Sequence, residues 1–339
     1  MYSSISEYAY VNTRIRVLLS LLLDEKTFEN LIGAKDVFSI CEILKETSYK
    51  NIIENFEKEG FNIHFFEKNM LKQDIDMIKK MYNSVFSISD RNIISLLIQK
   101  YEIKELKIAL RLWHKKNVSD ASKYLLGEKI WFDIDFNRIV SSPDLNNILQ
   151  ILEKTYYRQS LEMAKNLFEE KNSIFFLESS LDKIYFEKIT SSINRFLLTD
   201  RITLSKIIGA EIDIENINWM IRAKKYYSLE REEINNYLIK GGNITKSEFI
   251  DSFLSGEIKS IYNISLTDIF EKNEYMLEIS LNEILLNQIK QILSGFPFTI
   301  GIILSYVILK TREIKNIISI INAKNYGLAK EEISVLIGQ

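Results

Sequence analysis

Leu177-Glu178-Ser179-Ser180-Leu181-Asp182-Lys183-Ile184 reads again, 100 residues on, as Leu277-Glu278-Ile279-Ser280-Leu281-Asn282-Glu283-Ile284. At the same shift, Ile214-Glu215-Asn216-Ile217 returns as Ile314-Lys315-Asn316-Ile317, and Ala223-Lys224-Lys225-Tyr226 as Ala323-Lys324-Asn325-Tyr326. A fainter copy lies upstream. Phe66-Glu67, Ile103-Lys104-Glu105-Leu106 and Arg111 match Leu177-Glu178, Ile214-Glu215-Asn216-Ile217 and Arg222 at a shift of 111, and Ser89-Asp90-Arg91 matches Thr199-Asp200-Arg201 one residue out of register. The front halves repeat as well: Asp36-Val37, Ile40, Leu44, Thr47 and Tyr49 recur as Asp144-Leu145, Ile148, Leu152, Thr155 and Tyr157, with weaker echoes of Phe28, Ile32 and Ile40 at Phe249, Phe253 and Ile261. Self-similarity fixes architecture before other signals do. The expected units run 1–126, 127–240 and 241–339. They are far longer than the ~20–50 residues of a solenoid repeat, so each is expected to be a small multi-helix subdomain. Three such units either close around an axis, leaving a socket, or stack in a row.

Glycine (11) and proline (2) are scarce among 339 residues, so few turns are forced and helix is favoured. Apolar residues at three- and four-residue steps predict helices over Tyr8–Leu22, Asp36–Glu46, Phe66–Val85, Asn92–Trp113, Asp144–Phe168, Leu177–Leu198, Ile214–Tyr227, Leu277–Leu293 and Ile300–Asn322. Ser142-Pro143-Asp144 fits a helix start, and Gly127, Gly209, Gly241-Gly242, Gly295 and Gly327 are expected where helices stop. Lys129–Phe136 alternates loosely but has no hairpin partner, and reads better as a connection between helices. The expected fold class is all-α, built from three similar helical subdomains.

Hydrophobic residues make up 46 % and charged residues 27 % of the chain, and the formal net charge of −2 is spread without basic or acidic blocks. Nothing in that pattern points to nucleic acid. Phe296–Leu309 is the longest apolar stretch, but it contains Pro297 and Gly301 and falls short of the ~20 residues a membrane span needs. It reads as a buried core helix. Val17–Leu23 follows two arginines and runs into Asp24-Glu25, unlike a secretory leader. The chain is therefore expected to be soluble and to reach membranes only through partners. Cys41, the sole cysteine, sits between isoleucines in a helical pattern and reads as a buried apolar residue.

Signals for catalysis are scarce. There is no Gly-x-x-x-x-Gly-Lys-Ser/Thr loop, no Gly-x-Gly-x-x-Gly and no Gly-x-Ser-x-Gly elbow. His64 lies among phenylalanines and His114 at a helix end, with no equivalents in the other units. Catalytic, metal and cofactor sites are all expected to be absent. The acidic sets Asp74/Asp76, Asp133/Asp135 and Glu211/Asp213/Glu215 are spaced by two, which on a helix points neighbours about 200° apart, and they read as solvated surface. The residues singled out are the repeated ones. Ile103, Ile214 and Ile314 are spaced for a core face, Asp90 and Asp200 for matching helix starts, and Asn216 and Asn316 recur between core residues. Arg111 and Arg222 stand where the third unit has Asn322. They serve either as structural ion pairs or as a contact surface.

Tyr8-Ala9-Tyr10-Val11-Asn12-Thr13-Arg14-Ile15-Arg16 resembles the opening helix of the C subunits of the prokaryotic V-type (A/V-type) ATPases, the counterparts of the eukaryotic d subunits. Asp200 with Glu211–Ile217 and Arg222-Ala223-Lys224 is similar to that family's central segment. Phe296-Pro297-Phe298-Thr299-Ile300-Gly301, Tyr306, Lys310–Ile317 and Gly327-Leu328 through Glu331-Glu332-Ile333 resemble its C-terminal signature. The resemblance spans nearly the whole chain. It implies an all-helical funnel of three subdomains about a pseudo-threefold axis, without catalytic activity or cofactor. It also implies partners, namely the central-shaft subunits and the membrane rotor ring, and a place on the cytoplasmic face of the membrane through them. Torque would pass through the chain between the ATPase head and ion movement. A general helical-repeat scaffold, or an enzyme with a dispersed active site, are the alternatives. The first predicts units in a row, the second one cleft with convergent ionisable groups.

Overall fold

The computed structural model describes residues 2–85, 87–226, 235, 238–245, 247 and 274–338. Among them the regular structure is helical throughout. The chain divides into two compact units, one made of residues 1–86 and 292–339, the other of 87–291. These are units of packing, whereas the repeats are units of sequence likeness, and the two partitions cut the chain at different places.

The first unit holds α1 (Tyr2–Ser20), α2 (Glu25–Gly33), α3 (Val37–Lys45), α4 (Lys50–Lys58) and α5 (Ile63–Ser84). Its core joins Leu31, Ile40, Leu44, Ile53, Phe56 and Phe66 to Ile314, Ile317, Ile320 and Ile321 from near the other end of the chain. Cys41 lies fully buried in this core. Burial, helped by the nearby Glu57 carboxylate, pushes its thiol up to about 12, so it packs as an apolar group.

The second unit holds α6 (Ile88–His114), α7 (Ala121–Tyr124), α8 (Phe136–Val140), α9 (Leu145–Ile151), α10 (Tyr157–Lys171), α11 (Phe175–Ile193), α12 (Leu198–Tyr226) and most of α13 (Glu274–Ser294). The first unit is completed by α14 (Ile300–Asn325) and α15 (Lys330–Ile337). Ile300, Ile302, Ile303, Leu304, Tyr306 and Val307 are buried on α14, as expected of the apolar stretch. No helix among the described residues is long and apolar enough to cross a membrane.

Repeated sequence gives repeated local structure. Asp36 caps α3 by accepting from the Ser39 amide at 2.8 Å, and Asp144 caps α9 by accepting from the Asn147 amide at 3.0 Å, both from extended backbone. Each such cap satisfies a backbone N–H that the first turn of a helix leaves without an intrahelical partner. These hydrogen bonds hold both carboxyls below their usual range. Residues 129–135 form the expected connection.

Three expectations need correction. Asp144–Phe168 is two helices, not one. The chain turns at Leu152–Tyr156, where the Thr155 hydroxyl donates to the Leu152 carbonyl at 2.8 Å, as the Thr47 hydroxyl does to Leu44 at 2.6 Å after α3. Apolar periodicity runs through such a turn because both sides face one core. Likewise α11 stops at Ile193 rather than Leu198. Gly209 lies inside α12 instead of ending a helix. A Cβ there would come within 2.7 Å of the Asn243 side chain, so the glycine serves a close approach.

Candidate functional site: the recurring helix joints

Each expected repeat has one long helix that carries the recurring isoleucine: α6, α12 or α14. The singled-out isoleucines lie along these helices. Ile103 and Ile314 are buried, and Ile214 is half-buried. Immediately before each stands a carboxylate: Glu102, Asp213 or Glu313. All three are buried, and their partners follow one rule.

Glu102 Oε1 accepts from the amides of Trp131 (2.9 Å) and Phe132 (2.8 Å), and Glu102 Oε2 accepts from the Tyr157 hydroxyl (2.9 Å). Asp213 accepts from the amides of Asn243 (3.0 Å) and Ile244 (3.2 Å). Glu313 accepts from the Leu23 amide (2.5 Å), the Tyr49 hydroxyl (2.5 Å) and the Lys310 ammonium (2.8 Å). Tyr49 and Tyr157 are equivalent in the front-half repeat, and Leu23 and Trp131 stand at that same shift of 108. In each joint, therefore, a carboxylate of one expected repeat holds the leading backbone of the next. The third repeat holds that of the first.

A second set of contacts keeps the same order. Arg111, on α6, makes a two-point ion pair with Glu178, on α11, with Nη2 donating to Oε2 at 2.9 Å and Nε donating to Oε1. Asn322, on α14, donates to Glu67, on α5, at 2.8 Å. Glu67 and Glu178 are repeat equivalents, as are Arg111 and Asn322. Arg222 is exposed at the matching place on α12, and the side chain of Glu278, its counterpart by sequence, lies outside the described residues. Arg111 thus takes part in an ion pair while its side chain stays half exposed.

The other singled-out residues are placed as follows. Asp90 and Asp200 are both the third residue of their helices and both buried. Asn216 is buried, and its side chain pairs with both backbone groups of Ile239, at 3.0 and 2.8 Å. Glu105, its equivalent, accepts from the Leu126 amide at 2.5 Å, while Asn316 is only half-buried. Positions three apart share a helix face, so Glu102/Glu105 and Asp213/Asn216 each grip the following backbone in two places.

The reading of the acidic sets as solvated surface fails at four residues. Glu211, half-buried, pairs with Lys100 at 2.9 Å, and Glu215 is half-buried as well. Asp213 and Asp74 are buried, and Asp74 accepts from the Thr311 hydroxyl at 3.5 Å. Asp76, Asp133 and Asp135 are exposed as expected. Sequence reasoning missed Glu102, Asp213 and Glu313 as a set, although they share the shifts of the isoleucines that follow them.

Electrostatics fit a structural role. Burial pushes the Glu102 carboxyl above its ordinary value, against the pull of its hydrogen bonds. The Tyr157 and Tyr49 hydroxyls are pushed up by burial and by the neighbouring carboxylates, so both stay protonated donors. Among the described residues no group of His, Cys, Asp and Glu could hold a metal ion. His64 sits 3.6 Å from Glu67, and His114 packs edge-on to Phe168 at the end of α6.

Comparison with known proteins gives a consistent family. The sequence profile of the ATP synthase (C/AC39) subunit matches residues 11–336. The chain is 23 % identical to the C subunit of the A-type ATP synthase of Methanocaldococcus jannaschii, over 99 % of this chain and 88 % of that protein. It is 25 % identical to the corresponding C subunit from Desulfurococcus sp., over 98 % and 91 %, and 24 % identical to that of Methanosarcina mazei, over 97 % and 92 %.

Proposed function

This chain belongs to the ATP synthase (C/AC39) subunit family, and from that premise we propose that it is a non-catalytic central-stalk adaptor of a rotary V-type (A/V-type) ATPase/ATP synthase. It is a structural subunit of the complex. In this reading it seats the rotor shaft at one end and rests on the membrane rotor ring at the other, so that torque and ion transport are coupled through it. It works on the cytoplasmic side of the membrane, held there by its partner subunits.

The observation that carries the reading is the order of the joints. Links run from the first repeat to the second, from the second to the third, and from Glu313 and Asn322 of the third back to Leu23, Tyr49 and Glu67 of the first. A row of units would leave the last repeat no reason to grip the first. A closed cycle of three helical subdomains, a funnel about a pseudo-threefold axis with a socket inside, accounts for this order. Such a body suits torque transfer, because each subdomain is braced by two neighbours through buried, multiply bonded joints rather than through a single stalk.

The test is affinity purification of the tagged chain from native membranes in mild detergent. Shaft and ring subunits should co-purify in fixed stoichiometry. Recovery of the chain with unrelated soluble proteins, and without those subunits, would favour a general helical scaffold instead.

A further inference from the structure

Four large aliphatic side chains project into water at one corner of the second unit. α6 and α11 run antiparallel there, and Asn92 Nδ2, near the start of α6, donates to Ser192 Oγ, near the end of α11, at 2.8 Å. Ile88 stands one turn before Asn92 and opens α6. Just past Ser192, α11 ends at Ile193 and α12 begins at Leu198. Ile88 is 83 % exposed, Leu197 74 %, Leu198 61 % and Ile202 49 %, and Ile202 shares a helix face with Leu198.

Sequence repetition makes this corner more than a chance exposure. Ser87-Ile88-Ser89-Asp90-Arg91 matches Leu197-Leu198-Thr199-Asp200-Arg201 position by position, whereas the third repeat reads Phe298-Thr299-Ile300-Gly301 and lacks the Asp-Arg pair. In both matching copies the aspartate is buried and the arginine exposed. Packing accounts for a repeated buried residue. It does not account for two repeats that each keep a large aliphatic side chain in water beside an arginine. The surrounding charge is one-sided. Arg91, Arg195, Arg201 and Lys206 are all exposed. Of the acids in 87–92 and 187–206, Asp90 and Asp200 are buried, and Glu187 alone is exposed, more than a turn back along α11. The chain as a whole carries a formal charge of −2, so this cationic excess is local.

We propose that this corner touches an anionic lipid bilayer directly, its aliphatic side chains entering the boundary between headgroups and acyl chains and its arginines and lysine meeting lipid phosphates. Aliphatic residues ringed by basic ones are the composition that binds such an interface. The shape fits as well. A protein partner's hot spot is an anchor seated in a pocket, whereas side chains this exposed are projections. The contact is weak and salt-sensitive, because it joins a small apolar area to screened charges. It adds to the contacts with partner subunits and stands or falls apart from them.

Vesicle co-sedimentation of the purified full-length chain tests it, with phosphatidylglycerol–phosphatidylcholine vesicles compared with phosphatidylcholine alone. The chain should sediment with the anionic vesicles, far less with the neutral ones, and should be released by high salt. Arg195→Gln combined with Arg201→Gln should weaken binding about thirtyfold, from roughly fivefold for each charge removed. Leu197→Ser combined with Leu198→Ser should weaken it by about tenfold. Met163→Ser, which removes a comparably exposed residue on α10, should change nothing. Equal binding to both kinds of vesicle, or binding to neither, overturns the proposal, and the unmodified chain alone decides that. Binding that the leucine pair leaves unchanged overturns it too. If the unmodified chain ignores vesicles while the leucine variant loses shaft or ring subunits in affinity purification, the corner is a protein interface and the lipid contact is wrong. None of these outcomes bears against the adaptor reading.

Discussion

Replacing Glu102 with alanine removes one acceptor group from under three donors. The Trp131 and Phe132 amides and the Tyr157 hydroxyl all point at this carboxylate, at 2.8–2.9 Å, around a residue that is 0 % exposed. A buried donor left without a partner costs ~1–3 kcal/mol, so three cost about 3–9 kcal/mol. Relief from burying a carboxylate returns a few kcal/mol of that. A net loss of about 3 kcal/mol follows from these two opposing contributions. Glu102→Gln should cost only about 1 kcal/mol, because its carbonyl can face the two amides while its NH2 donates to the tyrosine oxygen. Urea unfolding followed by tryptophan fluorescence reads this directly, since Trp131 lies in the joint. The pH dependence adds a second check. Burial raises the Glu102 carboxyl above its ordinary 4.5, so the folded chain holds that proton more tightly than the unfolded chain. The stabilisation tied to it is complete below about 4.5 and is lost as pH rises through the higher folded value. Glutamine does not titrate, so the margin of wild type over Glu102→Gln should shrink as pH rises through that window. The reasoning is refuted if Glu102→Ala unfolds within 0.5 kcal/mol of wild type (an on-the-order margin for surface changes), or if glutamine is as damaging as alanine.

Arg111 and Glu178 should show a coupling of about 1 kcal/mol in a double-mutant cycle, modest because the arginine is half exposed; independent effects of the two alanine substitutions would contradict the joint. Cys41, buried and with its thiol pushed up to about 12, should resist alkylation at pH 8 until the chain is unfolded; rapid stoichiometric labelling of the native chain would show the core to be misassigned. Calorimetric titration of the purified chain with Mg-ATP should give no stoichiometric micromolar site, since the sequence offers no loop to cradle phosphates.

The helices, the repeats and the burial of Cys41 were legible in the sequence because each is a matter of pattern. Apolar residues at three- and four-residue steps mark a helix whatever it packs against. The joints were harder to see for a physical reason. Glu102 and Asp213 bond mainly to backbone amides and Glu313 to one, and an amide carries no residue identity that a repeat could reveal. Asp213 was further hidden in the run Glu211–Glu215, which looks like solvated surface until the close approach of Asn243, allowed by Gly209, is seen. The turn at Leu152–Tyr156 escaped notice because Ile148, Leu149, Leu152 and Tyr157 all bury on the same side, so no break in polarity marks it. Arg111 and Asn322 are equivalents, but their glutamate partners sit on a helix of a different repeat, a relation that linear sequence does not display.

The most direct test of the adaptor role is coupling itself. Inside-out membrane vesicles carrying the complete ATPase are compared with vesicles assembled without this chain, reading ATP hydrolysis and ATP-driven ion uptake together. The adaptor account predicts that hydrolysis by the head persists without the chain while ion uptake falls to background, and that adding the purified chain restores uptake. Full ATP-driven ion uptake in vesicles that lack the chain would contradict it.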